Sequence, residues 1–186
     1  MANKNEPFGL RAIGKVGQNR DNQGLSEYDI AASATAIYQN DPVEMLNTGT
    51  IGVAAATDVL LGSLTGVFFT DSSTSKPTFA NHLEASNTAT DIVGFVSDDP
   101  YERFEIQSAG TVAQTNIGNC ADISYTAGSS PNYVSKVEIS GTMAAGAAQL
   151  KIIGVSKDPD NNELGAANAN VIVTINEHFL KQTAGI

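Results

Sequence analysis

The sequence predicts an all-β fold: a compact antiparallel β-barrel or β-sandwich with an extended N-terminal arm. Charged residues make up only 16% of the 186 residues, and Ala, Gly, Ser, Thr and Asn take their place. Helices exposed to water usually carry many Glu and Lys residues, so this composition disfavours a helical bundle. Short apolar stretches separated by turn residues, at spacings of roughly 8–12 residues, favour about ten strands.

The chain is expected to divide into an arm, residues 1–24, and a single β-rich domain, residues 25–186. The arm is rich in Asn, Gly, Gln and charges of both signs, and no helical or alternating period runs through it. Two interpretations stay open for this arm: it docks on a partner, or it packs on its own domain. Its apolar side chains are Phe8, Leu10, Ile13 and Val16.

The first half of the β domain contains both alternating and fully apolar segments. Alternation at Tyr28, Ile30 and Ala32 predicts a half-buried strand, and Val43 and Met45 share one face of the next. The runs 59–61 and 64–69 are apolar on both faces, which predicts central strands. A polar loop is predicted at 71–77, and residues 80–90 carry no clear pattern.

The second half begins with an apolar strand, Ile92–Val96, that should end before Pro100, because proline cannot donate to a strand ladder. Charged and apolar residues then alternate over 103–107, which predicts a half-buried strand. In the run 149–155, apolar residues occupy both parities, so a bulge or burial on both faces is needed. Further strands are predicted around 121–125, 133–139 and 171–175, with a short helical turn or loop at 143–149.

The charge of −10 argues against nucleic-acid and membrane partners, because phosphate backbones and anionic lipids repel an acidic chain. Residues 1–11 lack the apolar core of a signal peptide. The most apolar window, 51–69, is interrupted by polar residues and does not suit a membrane span. We therefore expect the chain to fold in the cytoplasm of the cell that makes it. Its single cysteine, Cys120, excludes an intrachain disulfide.

Catalytic residues are not expected. The two histidines, His82 and His178, lie far apart in sequence and are expected at the surface or at a cap, and no Gly-x-Ser-x-Gly motif accompanies them. The carboxylates Asp98, Asp99 and Glu102 flank a proline at a strand end, where solvated turn residues are normal. A small β-fold glycan hydrolase that uses Asp98 and Glu102 stays as an alternative.

No cofactor and no metal site are predicted. Asp158, Asp160 and Asn162 match the first three ligand spacings of an EF-hand loop. Glu163 replaces the required glycine, and Ala169 at the twelfth position cannot bind calcium. Asp and Asn also build turns by bonding their own backbone, so a turn is favoured here. Calcium binding by 158–163 stays open.

Several short motifs resemble those of one family. These motifs are Pro7–Arg11, Asp41-Pro42-Val43, Gly66-Val67-Phe68, Ser97–Pro100, Phe104–Gln107, Gly154–Asp158 and Asn176–His178. In this order they are similar to capsid decoration, or cement, proteins of tailed phages, from podovirus-like marine and freshwater phages.

The resemblance implies a β-tulip-like form of the β-barrel or β-sandwich and a structural protein on the outer capsid surface of a virion. It implies binding to the major capsid protein and self-association, with a homotrimer as one form, and it implies no enzymatic activity. A head-fibre base or a tail protein is the alternative within the virion. The residues expected at the capsid or subunit interface are Phe8, Leu10, Arg11, Ile13, Phe179 and Leu180.

Overall fold

The computed structural model describes residues 2–17 and 24–182, and these form an all-β fold with antiparallel sheets, as the sequence predicts. Thirteen strands and two short 3₁₀ helices, Gln114–Asn116 and Phe179–Lys181, make up the described part. The strands are β1 (Arg11–Lys15), β2 (Ser26–Asp29), β3 (Pro42–Met45), β4 (Ile51–Val53), β5 (Leu60–Thr70), β6 (Pro77–Ala80), β7 (Val93–Ser97), β8 (Glu102–Gln107), β9 (Cys120–Ala121), β10 (Ile123–Ser124), β11 (Glu138–Ile139), β12 (Leu150–Val155) and β13 (Asn170–Ile175).

The strands build two main sheets and one small ribbon. The first sheet has the order β1-β8-β13-β12-β9, and the second has the order β2-β7-β5-β3-β4, with β6 paired to β5. Strands β10 and β11 pair separately. Neither sheet, as described, closes on itself, so the arrangement fits a sandwich and not a barrel.

Each sheet buries its own apolar cluster. Phe104, Ile106 and Val173 belong to the cluster of the first sheet, and Leu64 and Val96 belong to that of the second. Leu60, at the start of β5, belongs to the first cluster although its strand belongs to the second sheet. The long strand β5 therefore links the two clusters.

Several predicted strands are confirmed. The two apolar runs 59–61 and 64–69 lie in one strand, β5, except for Val59, which precedes it, and the first five residues of the strand are all buried. Strand β7 ends at Ser97, before the Asp-Asp-Pro sequence. The expected irregularity in β12 is a register shift between Ile152 and Gly154. The alanine-rich segment 143–149 is a loop and forms no helical turn.

The prediction of a half-buried β8 is wrong, because its polar residues are buried as well. Glu102, Glu105 and Gln107 are all at most 7% exposed. The N-terminal segment covers this polar face and satisfies it. The Gly14 N–H donates to Glu102, Arg11 pairs with Glu105, and Gln107 bonds both Lys4 and Glu6.

The described part of the predicted arm, residues 2–17, is extended and packs on its own domain. Strand β1 pairs antiparallel with β8. The Asn3 side chain donates to the Glu163 and Ala167 carbonyls, at 3.1 and 2.9 Å. Of the two interpretations left open, the described residues therefore support packing on the same chain.

Leu10 lies at the centre of this packing. Its side chain is fully buried in the first cluster. Its N–H donates to the Asn40 carbonyl at 2.8 Å, and its carbonyl accepts from the Ser63 hydroxyl at 2.6 Å. The preceding Gly9 has φ +76°, and a Cβ there would lie 2.4 Å from the Asn40 oxygen, so the chain needs glycine at this close approach.

Gln149 connects the turn before β5 with the β9–β10 segment. Its amide nitrogen donates to the Ala55 and Asp58 carbonyls at 2.8 and 2.7 Å. Its amide oxygen accepts from the Ile123 N–H at 2.9 Å. The side chain is fully buried, so its bonds satisfy the buried Ile123 N–H and hold the partly exposed turn before β5.

Candidate interaction surfaces

Strands β2, β7, β5 and β6 carry a row of side chains on one face of the second sheet. The register places Asp29 opposite Val93, Val93 opposite Phe68, and Phe68 opposite Phe79. Directly opposite residues in antiparallel strands share a face. Phe95 lies on the same face, because it is two residues beyond Val93 on β7.

We call Phe68, Phe79, Val93 and Phe95 the phenylalanine patch. Phe79 is 73% exposed, while the other three side chains are partly buried. The Phe79 ring centroid lies 4.9 Å from that of Phe68 and 6.1 Å from that of Phe95. Contiguous exposed aromatic area of this kind marks surfaces that contact other molecules.

Sequence reasoning missed this patch. The apolar residues on both faces of 64–69 and 92–96 predict strands that are buried on both sides. The structure buries one face, with Leu64, Val67 and Val96, and leaves the other open. No local signal in the sequence distinguishes the two faces, because β6 extends the same sheet and the exposure of the outer face of β5 depends on what packs over it.

Two carboxylates border the patch along β2. Glu27 lies opposite Phe95, and Asp29 lies opposite Val93. Both side chains are exposed, and neither forms an ion pair with another residue of the described ranges. The β2 side of the patch is therefore acidic.

A groove of about 540 Å³ lies near the start of β2 and the end of β7. Leu25, Pro100, Tyr101 and Leu180 give it apolar walls, and its polar lining includes Lys15, Ser26, Asp98 and Asp99. The Asp98 carboxylate accepts from the Ser26 and Tyr28 hydroxyls at 2.9 and 2.6 Å. Lys15 pairs with Asp99 at 2.6 Å. These polar groups are thus already engaged within the chain.

The groove does not unite the two carboxylates of the hydrolase alternative. Asp98 lines it, but Glu102 does not. Glu102 is 7% exposed and accepts from the Gly14 N–H at 3.1 Å, and burial raises its pKa. Its carboxylate serves the contact between β8 and the N-terminal segment.

The interface residues predicted from sequence are dispersed. Ile13 and Leu180 are 44% and 52% exposed, and Leu180 lines the groove. Arg11 lies over the Phe8 ring, 4.5 Å from its centroid. Phe179 packs against the second cluster. For Leu10 the prediction of an interface role is corrected, since its side chain is fully buried in the apolar cluster.

The two histidines have different environments. His82 stacks on Tyr133 with ring centroids 3.8 Å apart. His178 is fully buried, and its Nδ1 accepts from the Leu180 N–H at 3.1 Å, which caps the 3₁₀ helix Phe179–Lys181. No described residue gives the His178 Nε2 a hydrogen bond.

The segment 158–163 forms a turn in which Asp158 accepts from the Asp160 N–H at 3.1 Å. Lys4 pairs with Asp160 at 2.5 Å. Within residues 2–17 and 24–182, no three or more His, Cys, Asp or Glu side chains are grouped to hold a metal ion. No helix in these same ranges has the length and apolar character to cross a membrane.

Two buried titratable groups have strongly shifted pKa values. Burial, with a smaller effect of Lys181, lowers the pKa of His178 from 6.5 to about 4. Burial raises the pKa of Asp41 from 3.8 to about 6. Asp41 is fully buried, and its Oδ1 accepts no hydrogen bond from a described residue.

These two groups change stability with pH in opposite directions. The folded chain binds fewer protons at His178 than the unfolded chain, so this stabilisation is complete above pH 6.5 and is lost as the pH falls to about 4. The folded chain binds more protons at Asp41, so burial of this carboxylate costs stability above about pH 6. That cost disappears as the pH falls towards 3.8.

Single substitutions should separate the two effects. Relative to wild type, we expect the free energy of unfolding of Asp41→Asn to fall by about 2–3 kcal/mol between pH 6.5 and 4, and that of His178→Asn to rise by a similar amount. Each asparagine keeps an oxygen acceptor for the backbone N–H that the native residue bonds. Urea unfolding at several pH values measures both differences, and two pH-independent differences would contradict the assignment.

The patch and the groove thus differ in what they offer another molecule. The patch presents apolar area with an acidic border, whereas the polar groups of the groove already bond one another. Comparison of the chain with protein-family models, curated proteins and solved structures found no match.

Proposed function

We propose that this chain is a non-enzymatic structural protein of a tailed-phage virion, a decoration or cement protein. It binds the outer surface of the shell and stabilises contacts between major capsid subunits. The observation that carries this proposal is the phenylalanine patch, an exposed aromatic surface on a sheet. Aromatic residues are enriched where proteins contact one another, and polar residues usually rim such contacts.

The physical basis of cementing is preferential binding. A protein that binds only the assembled lattice stabilises that lattice by mass action. Many equivalent sites make the total effect large, even when each contact is modest. A homo-oligomer, such as a trimer, would engage several neighbouring subunits at once.

The net charge supports binding to the outer face of the shell. Packaged DNA would repel a chain with a net charge of −10, which favours binding outside the shell over binding in the lumen. The strand-paired body suits a mechanical role, because its two sheets and buried clusters resist deformation.

Cosedimentation tests the proposal. The purified chain is mixed with expanded shells assembled from the major capsid protein of the same phage genome. We expect saturable binding at a fixed ratio to shell subunits, and electron microscopy should show added density outside the lattice. An acidic protein of similar size serves as the control. Absent or non-saturating binding would overturn the proposal.

A further inference from the structure

We infer that the phenylalanine patch docks on an apolar surface of the shell subunit that carries Lys or Arg along one side. Phe79 is the anchor, and Glu27 and Asp29 pair with the partner's basic groups. This inference rests on the proposed function and adds the chemistry of the partner.

Phe79 has the properties of an interface anchor. Its side chain is 73% exposed, yet its backbone is fixed by the pairing of β6 with β5. Its ring lies next to those of Phe68 and Phe95, with centroids 4.9 and 6.1 Å away. An aromatic side chain held in this way loses little conformational entropy on binding, and interface anchors are typically large, rigid groups of this kind.

The acidic border indicates the charge of the partner. Glu27 and Asp29 of β2 lie opposite Phe95 and Val93 of β7. Neither carboxylate has an ion pair within the described ranges. A partner with basic groups along this side would complement them and bind faster at low salt. A partner with acidic groups there would be repelled.

The same charges disfavour a second copy of the chain as the occupant of the patch. Each copy carries a net charge of −10, so association of two copies through this face opposes like charges. Self-association into a trimer would therefore use another surface. The exposed Ile13 lies on β1 of the first sheet, outside the patch, and serves as an internal comparison.

Two variants and two matched controls test the inference against the same assembled shells. Phe79→Ser removes the anchor, and its control Ile13→Ser removes an exposed apolar side chain outside the patch. The double variant Glu27→Lys/Asp29→Lys reverses the acidic border. Its control, Glu6→Lys/Glu84→Lys, makes the same charge change at exposed residues outside the row. Circular dichroism and thermal unfolding verify that every variant folds.

We expect Phe79→Ser to weaken shell binding by about thirtyfold or more, and Ile13→Ser to leave it within about twofold. The Glu27→Lys/Asp29→Lys variant should weaken binding by about tenfold in 50 mM salt. The Glu6→Lys/Glu84→Lys control should weaken it far less. The difference between these two double variants should shrink at about 0.5 M salt, because salt screens exposed charges.

The possible results distinguish this inference from the proposed function. If wild type binds shells and Phe79→Ser binds equally well, the patch is not the docking surface, and the cement function stands. If both double variants weaken binding equally, the inference that the partner surface is basic is wrong. If wild type does not bind shells, the proposed function fails, and the partner assignment fails with it. An oligomer of the chain alone that Phe79→Ser dissociates would show self-association through the patch and overturn the inference.

Discussion

A chain that lacks residues 2–16 should not fold. The deletion removes β1, exposes the polar face of β8, and leaves the site of Leu10 in the first cluster empty. Glu102, Glu105 and Gln107 would then lose the partners that satisfy them. The expected loss is comparable to the whole stability of a small domain, about 5–15 kcal/mol. Circular dichroism and amide chemical-shift dispersion report the outcome.

Point variants keep this prediction quantitative. We expect Leu10→Ala to lower the free energy of unfolding by about 2–5 kcal/mol, because it removes a fully buried side chain and leaves a cavity. Ile13→Ala, three residues along, should change it by less than about 0.5 kcal/mol, since this side chain is exposed. A folded deletion variant, or equally small effects of the two substitutions on the free energy of unfolding, would show that the N-terminal segment is dispensable. That result would restore the interpretation of a free arm.

Gln149→Leu should be nearly as damaging. Leucine has a similar size, but it leaves the buried Ile123 N–H without a partner. It also removes one hydrogen bond to the Asp58 carbonyl and one to the Ala55 carbonyl, which still accepts from the Asp58 N–H. One unsatisfied buried group costs about 1–3 kcal/mol and each other lost hydrogen bond about 1 kcal/mol, so we expect a loss of about 2–4 kcal/mol in urea unfolding.

Gln114→Leu is the matched control, because Gln114 is exposed in a 3₁₀ helix. Its effect should stay within about 0.5 kcal/mol. If Gln149→Leu were equally mild, water or a rearranged backbone would satisfy the three groups. The proposed link between the turn before β5 and the β9–β10 segment would then carry little energy.

The strands with long apolar runs or a regular apolar–polar alternation could be predicted from the sequence. The apolar runs of β5 and β7 and the alternation in 171–175 identify strands from neighbouring residues alone. Strands β1, β4 and β6 were missed, because they are short or polar and form by pairing with strands already present.

Long-range contacts explain the other differences. The alternation in β8 indicated a solvated polar face, but the covering residues lie 88 to 103 positions earlier in the chain. The partners of Gln149 are 91 and 94 positions away. No periodicity within a short window contains such information. Exposure of the outer face of β5 likewise depends on which sheet or loop covers it, and the sequence pattern does not determine that.

The placement of the N-terminal segment also affects biosynthesis. Asn3 bonds the carbonyls of Glu163 and Ala167, which are 160 and 164 positions later, so these contacts cannot form until the ribosome has made nearly the whole chain. The edge of β8 that pairs with β13 likewise remains available to strands of other nascent chains until residues 170–175 are made. Such high contact order predicts slow folding, on the scale of milliseconds to seconds, and a growing need for chaperones as expression rises.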